Sequence, residues 1–531
     1  MSTDQPVPGE NDGGAPDARQ LRTVLIAVCV ALMAVIASVT GLNVAQPDMA
    51  VEFGASQTTI LWIINVYTLT LAALLLPLGA IGDRLGRKPM LIIGLIVFGV
   101  AGVLAGLAPS AGVMIAARVL SGAGAAMIMP ITLAVITSTF PAERRGKAIG
   151  VWTGVAGGGG IIGMFLSALL VDVAHWRWLF LLPVALVVVS LGMMRSVPDS
   201  REHSGHPFDT VGALASVVAV VGLIFVLQEG PERGWSDPVT LAALVAGLAA
   251  LIFFVAWELR RPDVALLDVR LFRERGLSGG SLTLLVVFGV QAGVFVVLFP
   301  FLQAVLGWSG LLSTLAMMPM AVLMMLTSGL APHLAARVGA RATMAAGIAL
   351  FGAGLALMAG IVSVEGGYLS ILPGMLAMGI GMGLAMTPST EAITGSLPRE
   401  KQGVASALND ITREFGTALG VALLGALLAN GYRAAVDDRL TGIPQGLADI
   451  ARQGVANAVE VAGTAGPHAR ALAEAARRSF VDGWQQAMWA GVVVMGVLFV
   501  YAVVRGPSNR PPASAGQEKT SGDDRHPQLS A

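Results

Sequence analysis

The stretch GAIGDRLGRKPML, residues 79–91, places Asp83, Arg84, Arg87 and Lys88 in a glycine-bearing turn between two apolar runs, 58–80 and 90–108. Each run approaches the roughly 20 residues that carry a helix across hydrocarbon. A short charged turn between two such runs is the connection expected of a polytopic helical membrane protein. Outward from it, comparable runs lie near 21–42, 112–135, 147–170, 178–195, 210–228 and 238–258. After a charged stretch they resume near 278–302, 312–334, 342–362, 368–392, 403–429 and 484–504. The reading is an all-α membrane protein with fourteen spans. Composition agrees: of 531 residues, 55% are hydrophobic and 12% charged, about half the charged share of a soluble domain.

Lys plus Arg is 33 and Asp plus Glu is 33, so the formal charge is zero. The basic excess of a nucleic-acid binder is absent. Cys29 stands alone, so neither an intrachain disulfide nor a thiolate cluster is available. The six histidines fall at or beyond the ends of the apolar runs, which argues against a buried metal or haem. No metal, no cofactor and no enzyme activity are expected, since no nucleophile–base constellation stands out. Counted loop by loop with the N-terminus inside, 23 of the 33 basic residues fall in cytoplasmic segments and eight outside. Six of those eight sit in one long loop, 430–483, where the positive-inside rule has little force. A multi-pass protein of the plasma or inner membrane, with both termini cytoplasmic, follows as the expectation.

An internal repeat organises the chain. FPAERRGKAIGVW at 140–152 aligns without gaps on LPREKQGVASALN at 397–409, so that Pro141 meets Pro398, Glu143 meets Glu400 and Gly146 meets Gly403. DRLGRK at 83–88 likewise corresponds to ARVGAR at 336–341, with Gly86 on Gly339 and Asp83 on Ala336. Similar offsets between loops of the same sidedness imply two halves in parallel orientation, the repeat type of a transporter built around a central site. The expected domains are a disordered N-tail 1–20, a six-helix bundle 21–200, an inserted two-helix hairpin and linker 201–275, a second six-helix bundle 276–505, and a C-tail 506–531. Within the second bundle, 430–483 reads as an outer helical hairpin. Nothing in the inserted hairpin points to substrate contact.

With its Gly79, Asp83-Arg84, Gly86-Arg87-Lys88 signature, the chain resembles the major facilitator superfamily. Fourteen spans, EGPERGW at 229–235, LLDVRLFR at 266–273, TGLNVAQP at 40–47, Arg118 followed by GAGAA, and HWRWLF at 175–180 make it similar to the fourteen-helix drug:proton antiporter branch. The resemblance covers nearly the whole chain. It implies efflux of amphipathic or cationic drugs by proton antiport and alternating access, in a monomer. It also implies a proton-relay role for Arg118 and a gating role for the 79–88 loop. A single metabolite, peptide or lipid as dedicated cargo is the alternative. The chain departs from the branch pattern at Ser38, where an acid usually stands, at Gly163-Met164 and Ser167-Ala168 in the fifth span, and at Leu182.

Asp410, Arg413 and Glu414 lie about 10 to 16 Å into the thirteenth span. Charges at that depth cost several kcal/mol unless paired or facing water. Asp410 and Glu414 share a helix face, and Arg413 can neutralise only one of them. They are therefore expected to carry protons and to meet cationic substrate, with a structural Asp410–Arg413 pair as the competing explanation. Arg118, the other intramembrane cation, can also satisfy carbonyls or snorkel. In the gating loop, Asp83 with Arg84, Arg87 and Lys88 is expected to form an ion-pair lock between the halves, while Gly79 and Gly86 allow close approach. Asn43, Trp62, Asn65, Tyr67, Gln291 and Gln303 can supply polar or cation–π contacts to a cavity. Met375, Met378, Met382 and Met386 stripe one helix face, suited to a promiscuous apolar pocket or to ordinary packing. The four glycines 157–160 permit close packing or a kink.

Overall fold

In the absence of water a backbone must satisfy its own hydrogen bonds, and the chain does so by folding as helices. The computed structural model describes residues 17–42, 45–198, 208–261 and 264–507. The helices are α1 Ala18–Gly41, α2 Gln46–Phe53, α3 Gln57–Leu85, α4 Arg87–Gly106, α5 Ala111–Thr139, α6 Ala142–Val173 and α7 Leu181–Met193. After these come α8 Thr210–Arg233, α9 Pro238–Arg260, α10 Arg275–Pro300, α11 Gly310–Val338, α12 Ala340–Ile361 and α13 Gly367–Gly395. The last four are α14 Gln402–Arg439, α15 Gln445–Gln453, α16 Val455–Ala462 and α17 Ala469–Arg505. Among the described residues fourteen helical segments are long and apolar enough to cross a membrane: all of these helices but α2, α15 and α16, with α7 counted together with the 3-10 turns that flank it, over Trp176–Ser196.

Local chemistry sets the ends. Ser56, Ser110 and Ser309 accept the amides of Thr59, Val113 and Leu312 at the starts of α3, α5 and α11, the N-cap arrangement that satisfies a free donor. Gly86 and Gly339 end α3 and α11 with φ of 104° and 93° and ψ of 139° and 151°. Side chains with a Cβ rarely take that conformation, and the matching angles at two repeat-equivalent positions bear out the alignment.

Helices α1 and α3–α7 pack among themselves, as do α10–α14 and α17. The two groups meet along α3 against α14 and α6 against α11, with α5 also touching α14. Glycine permits these approaches: a methyl group on Gly79 would lie 2.7 Å from the Gly403 carbonyl oxygen, and one on Gly150 would lie 2.6 Å from that of Ser328. Helices α8 and α9 pair with each other, and α8 lies against both α3 and α14. Val220 and Ile224 of α8 bury against Ala72 and Ala73 of α3, with Phe415 of α14 alongside.

Two expected boundaries move. The 430–483 segment is not a separate outer hairpin: α14 continues to Arg439 and α17 begins at Ala469, leaving 440–468 for α15 and α16. Hydropathy falls at 430 and 483, but the alanine-rich sequence sustains helix beyond the apolar run. The helical periodicity around 468–480 is thus the first part of α17. At the other end, α1 starts at Ala18, inside the expected 1–20 tail. The rest of that tail and most of 506–531 lie outside the described residues.

Candidate functional site

Three clusters of charge stand out, two on the contacts between the halves and one within the first half. The first surrounds Asp83, in the last turn of α3. Its carboxylate accepts the Gly403 amide at 2.8 Å and the Val404 amide at 3.2 Å. Those amides belong to the first turn of α14, where helix donors lack internal partners and the dipole favours an anion. Arg87 donates to Asp83 at 3.1 Å and to the Arg399 carbonyl at 3.0 Å. The Asp83–Arg87 ion pair therefore lies within one half, and what joins the halves is a carboxylate capping a helix plus an arginine on a carbonyl. Gly79 sits on the crossing itself, Gly86 makes the turn, Arg84 stacks 5.4 Å over the Phe208 ring at the foot of α8, and Lys88 stays half-buried on α4. The repeat does not reproduce this contact, because Ala336 and Ala340 occupy the Asp83 and Arg87 positions, and Arg341, aligned on Lys88, donates to the Gly506 carbonyl.

The second cluster is on α14. Asp410 is fully buried and accepts from Asn409 at 3.2 Å and from Arg413 at 3.5 Å, a long contact. Arg413 also donates to the Ala156 carbonyl of α6 at 3.3 Å and stacks 4.4 Å over Phe288 of α10. Asp410 Oδ2 and Arg413 Nε have no hydrogen-bond partner among the described residues. Glu414 is half-buried one turn on, within electrostatic reach of Arg413, Asp410 and Tyr67 of α3.

The third centres on Arg118 in α5, which is buried. It donates to the Ile63 carbonyl at 3.3 Å and to Ser38 Oγ at 3.0 Å, and its guanidinium lies 4.1 Å over the Tyr67 ring. It thus satisfies a carbonyl, yet it also contacts the very position where the branch pattern would place an acid. Tyr67 lies under Arg118 and within electrostatic reach of Glu414, and so links the second and third clusters. Long-range contacts of this kind leave no trace in local sequence.

The other candidates are dispersed. Asn43 lies outside the described residues. Trp62 contacts Phe225 of α8, Asn65 is half-buried with its carbonyl accepting from Thr68, Gln291 is buried in α10, and Gln303 is exposed. Met382 and its stripe are fully buried in the second half. The glycine run of α6 receives thioethers: methyl groups on Gly157, Gly158 and Gly159 would meet Met324, Met325 and Met33 within about van der Waals contact or closer. Two contacts between the halves that sequence did not suggest are a 2.8 Å hydrogen bond between the Thr153 and Thr387 hydroxyls and Glu391 of α13 pressed against Gly146 of α6. The repeat carries a trace of the first, since Thr153 is the counterpart of Asp410.

Residues 27–421, from within α1 to within α14, match the family model for the Major Facilitator Superfamily. The chain belongs to the major facilitator superfamily. It is 32% identical over 472 residues to the methyl viologen resistance protein SmvA of Salmonella typhimurium, covering 87% of this chain and 93% of the relative. It is 33% identical to the multidrug efflux pump LfrA of Mycolicibacterium smegmatis, covering 88% and 92%. A tetracenomycin C resistance and export protein of Streptomyces glaucescens is 30% identical, covering 86% and 87%. Among solved structures, the proton:xylose symporter XylE shares the fold with a TM-score of 0.57 at 14% identity, over 93% of this chain and 98% of that one. This major facilitator chain is therefore a transporter and not an enzyme, with two six-helix groups joined along α3–α14 and α6–α11.

Proposed function

We propose that the protein exports amphipathic or cationic drug-like molecules from the cytoplasm in exchange for protons, by alternating access. Relatives of the whole chain at about 30% identity are named for drug resistance and efflux, which supports the cargo class. The observation that carries the coupling is the Asp410–Arg413–Glu414 cluster. Asp410 and Arg413 are buried, with Glu414 half-buried beside them, where a lone charge costs on the order of 3 kcal/mol, and one Asp410 oxygen has no hydrogen-bond partner among the described residues. A group that must be ionised in one state and neutral in another suits such a place.

In this reading the end of the bundle carrying the Asp83 lock, with both chain termini, is cytoplasmic, and the lock holds that side closed. Opening separates Gly79 from Gly403 and exposes Glu414 and Asp410 to the cytoplasm, where protons leave and cargo enters. The deciding experiment is proton-driven efflux in energised inverted vesicles for wild type, Asp410→Asn, Glu414→Gln and the double variant, with an ionophore control. Loss of coupling in the double variant is expected, and wild-type efflux and coupling in all three would sink the assignment. A single dedicated metabolite is the second reading, favoured by the relative named for tetracenomycin C export. A flat drug-susceptibility panel with one transported metabolite would select it.

A further inference from the structure

The inserted hairpin has a buried acidic pair at its foot. Asp209 caps α8, accepting the Gly212 amide at 2.9 Å and the Trp257 indole at 3.0 Å. Glu258, one residue on from Trp257 in α9, is 1% exposed, and neither of its carboxylate oxygens has a hydrogen-bond partner among the described residues. The two carboxylates flank the same glycine. A methyl carbon on Gly212 would sit 2.7 Å from Glu258 Oε1, with Asp209 Oδ2 closer still. Two adjacent anions in a site that excludes water cannot both stay ionised without a proton or a cation between them.

The surroundings connect this pair to the lock. The Leu266 and Leu267 amides face Glu258 without full hydrogen-bond geometry. Lys401, the last residue before α14, faces it too and donates to the Ala265 carbonyl at 2.8 Å. On the other flank, Arg84 at the end of α3 stacks on Phe208, the residue before Asp209. At the end of α9, Arg261 stacks 4.4 Å over Trp257 while Arg260 is exposed, and Arg270 of the following 3-10 turn donates to the Leu259 carbonyl. The hairpin foot therefore touches both sides of the Asp83–Gly403 contact, through Arg84 on α3 and Lys401 ahead of α14. Higher up, α8 lies across the same seam, where Gln228 donates to Thr68 at 3.2 Å.

We propose that Asp209 and Glu258 form a proton-binding dyad that sets the strength of the cytoplasmic lock. With one shared proton the pair holds the feet of α8 and α9 together and keeps the 264–268 linker on Lys401. Without it, the two carboxylates repel across Gly212, the foot spreads, and the first turn of α14 loses its tether. An acidic cytoplasm then keeps the transporter closed on that side. This site is separate from Asp410 and Glu414 and does not depend on their role in coupling.

The test is made on full-length protein in nanodiscs, with Cys29→Ser and spin labels on Leu85→Cys and Glu400→Cys, at the exposed ends of α3 and ahead of α14. Asp410→Asn and Glu414→Gln are present throughout to silence the central acids. Raising the pH is expected to populate a longer distance, and Glu258→Gln is expected to abolish that response and hold the short distance. Asp209→Asn, which keeps an acceptor for Gly212 and Trp257, should act alike if Glu258→Gln does not fold. Infrared difference spectra should show a protonated-carboxyl band that titrates in the parent and is lost in either variant. An unchanged pH response in a folded variant, no response in the parent, or a response to Mg2+ at fixed pH in place of protons would overturn the proposal.

Discussion

At the scale of single residues, the most consequential contact is between Arg118 and Ser38. A hydroxyl at 3.0 Å takes one guanidinium hydrogen, and Nη2 of the same arginine is left without a partner. An arginine in so dry a place attracts an anion. Ser38→Asp should therefore form a buried ion pair with Arg118, and the outcome expected is a shift of drug efflux towards lower external pH, read as the pH profile of efflux in intact cells. An unshifted profile would mean that position 38 is silent in coupling. Glu414→Gln is expected to abolish proton release on drug addition while Asp410→Asn weakens it less, because Asp410 already has Arg413 and Asn409 as partners. Proton release from purified protein in detergent, followed with a pH dye, distinguishes the two.

At the scale of elements, the joint between α3 and α14 is a helix cap made across the molecule. Asp83 does for α14 what Ser56 does for α3, except that the capping residue comes from 320 positions away. Removing a cap costs about 1 kcal/mol, and the loss is borne by the closed arrangement alone. Asp83→Ala should thus raise the open fraction by about fivefold, consistent with 1.4 kcal/mol per factor of ten, seen as faster alkylation of a cysteine placed at Ala407. Gly403→Val should open it further, since the added carbons would strike the Gly79 carbonyl. Beyond the spans, Glu52 at the end of α2 binds Arg177 at 2.8 Å and the Trp176 indole. The Arg177 hydrogen bond holds the Glu52 carboxyl below the usual carboxylate range. A lowered folded-state value means that its stabilisation is present at neutral pH and is lost as pH falls through that value. With the site about a third exposed the effect is small, roughly 0.5 kcal/mol, so Glu52→Gln should lower Tm slightly at pH 7 and not at all in strong acid.

At the scale of the whole molecule, much could be read in advance because the membrane leaves few choices. Fourteen apolar runs become fourteen helices, and the aligned segments at 140–152 and 397–409 open equivalent helices, α6 and α14. The helix ends were less legible: alanine carries α14 and α17 past the point where hydropathy drops. Candidate charges could be found because a charge in an apolar run is conspicuous, whereas their partners are backbone amides, a serine and a tyrosine that no local pattern marks. The inserted hairpin looked inert because its acids sit at the edge of an apolar run, where charge is ordinary. Deleting the hairpin, 208–265, with a short linker should on this account leave a folded twelve-helix core whose α3–α14 closure is weaker, measurable as the same cysteine reactivity at position 407.

The two joints between the halves differ in kind. Along α3–α14 a carboxylate and an arginine make directional bonds that are either present or broken. Along α6–α11 the contact is glycine against methionine, and thioether chains with three rotatable bonds can follow a moving groove without losing it. In the alternating-access cycle proposed above, the first joint would fix how deep the closed well is and the second how rough the path out of it. Substitutions on α3–α14 should then change occupancy, while stiffening Met324 or Met325 to isoleucine should slow the passage between states and leave their ratio alone.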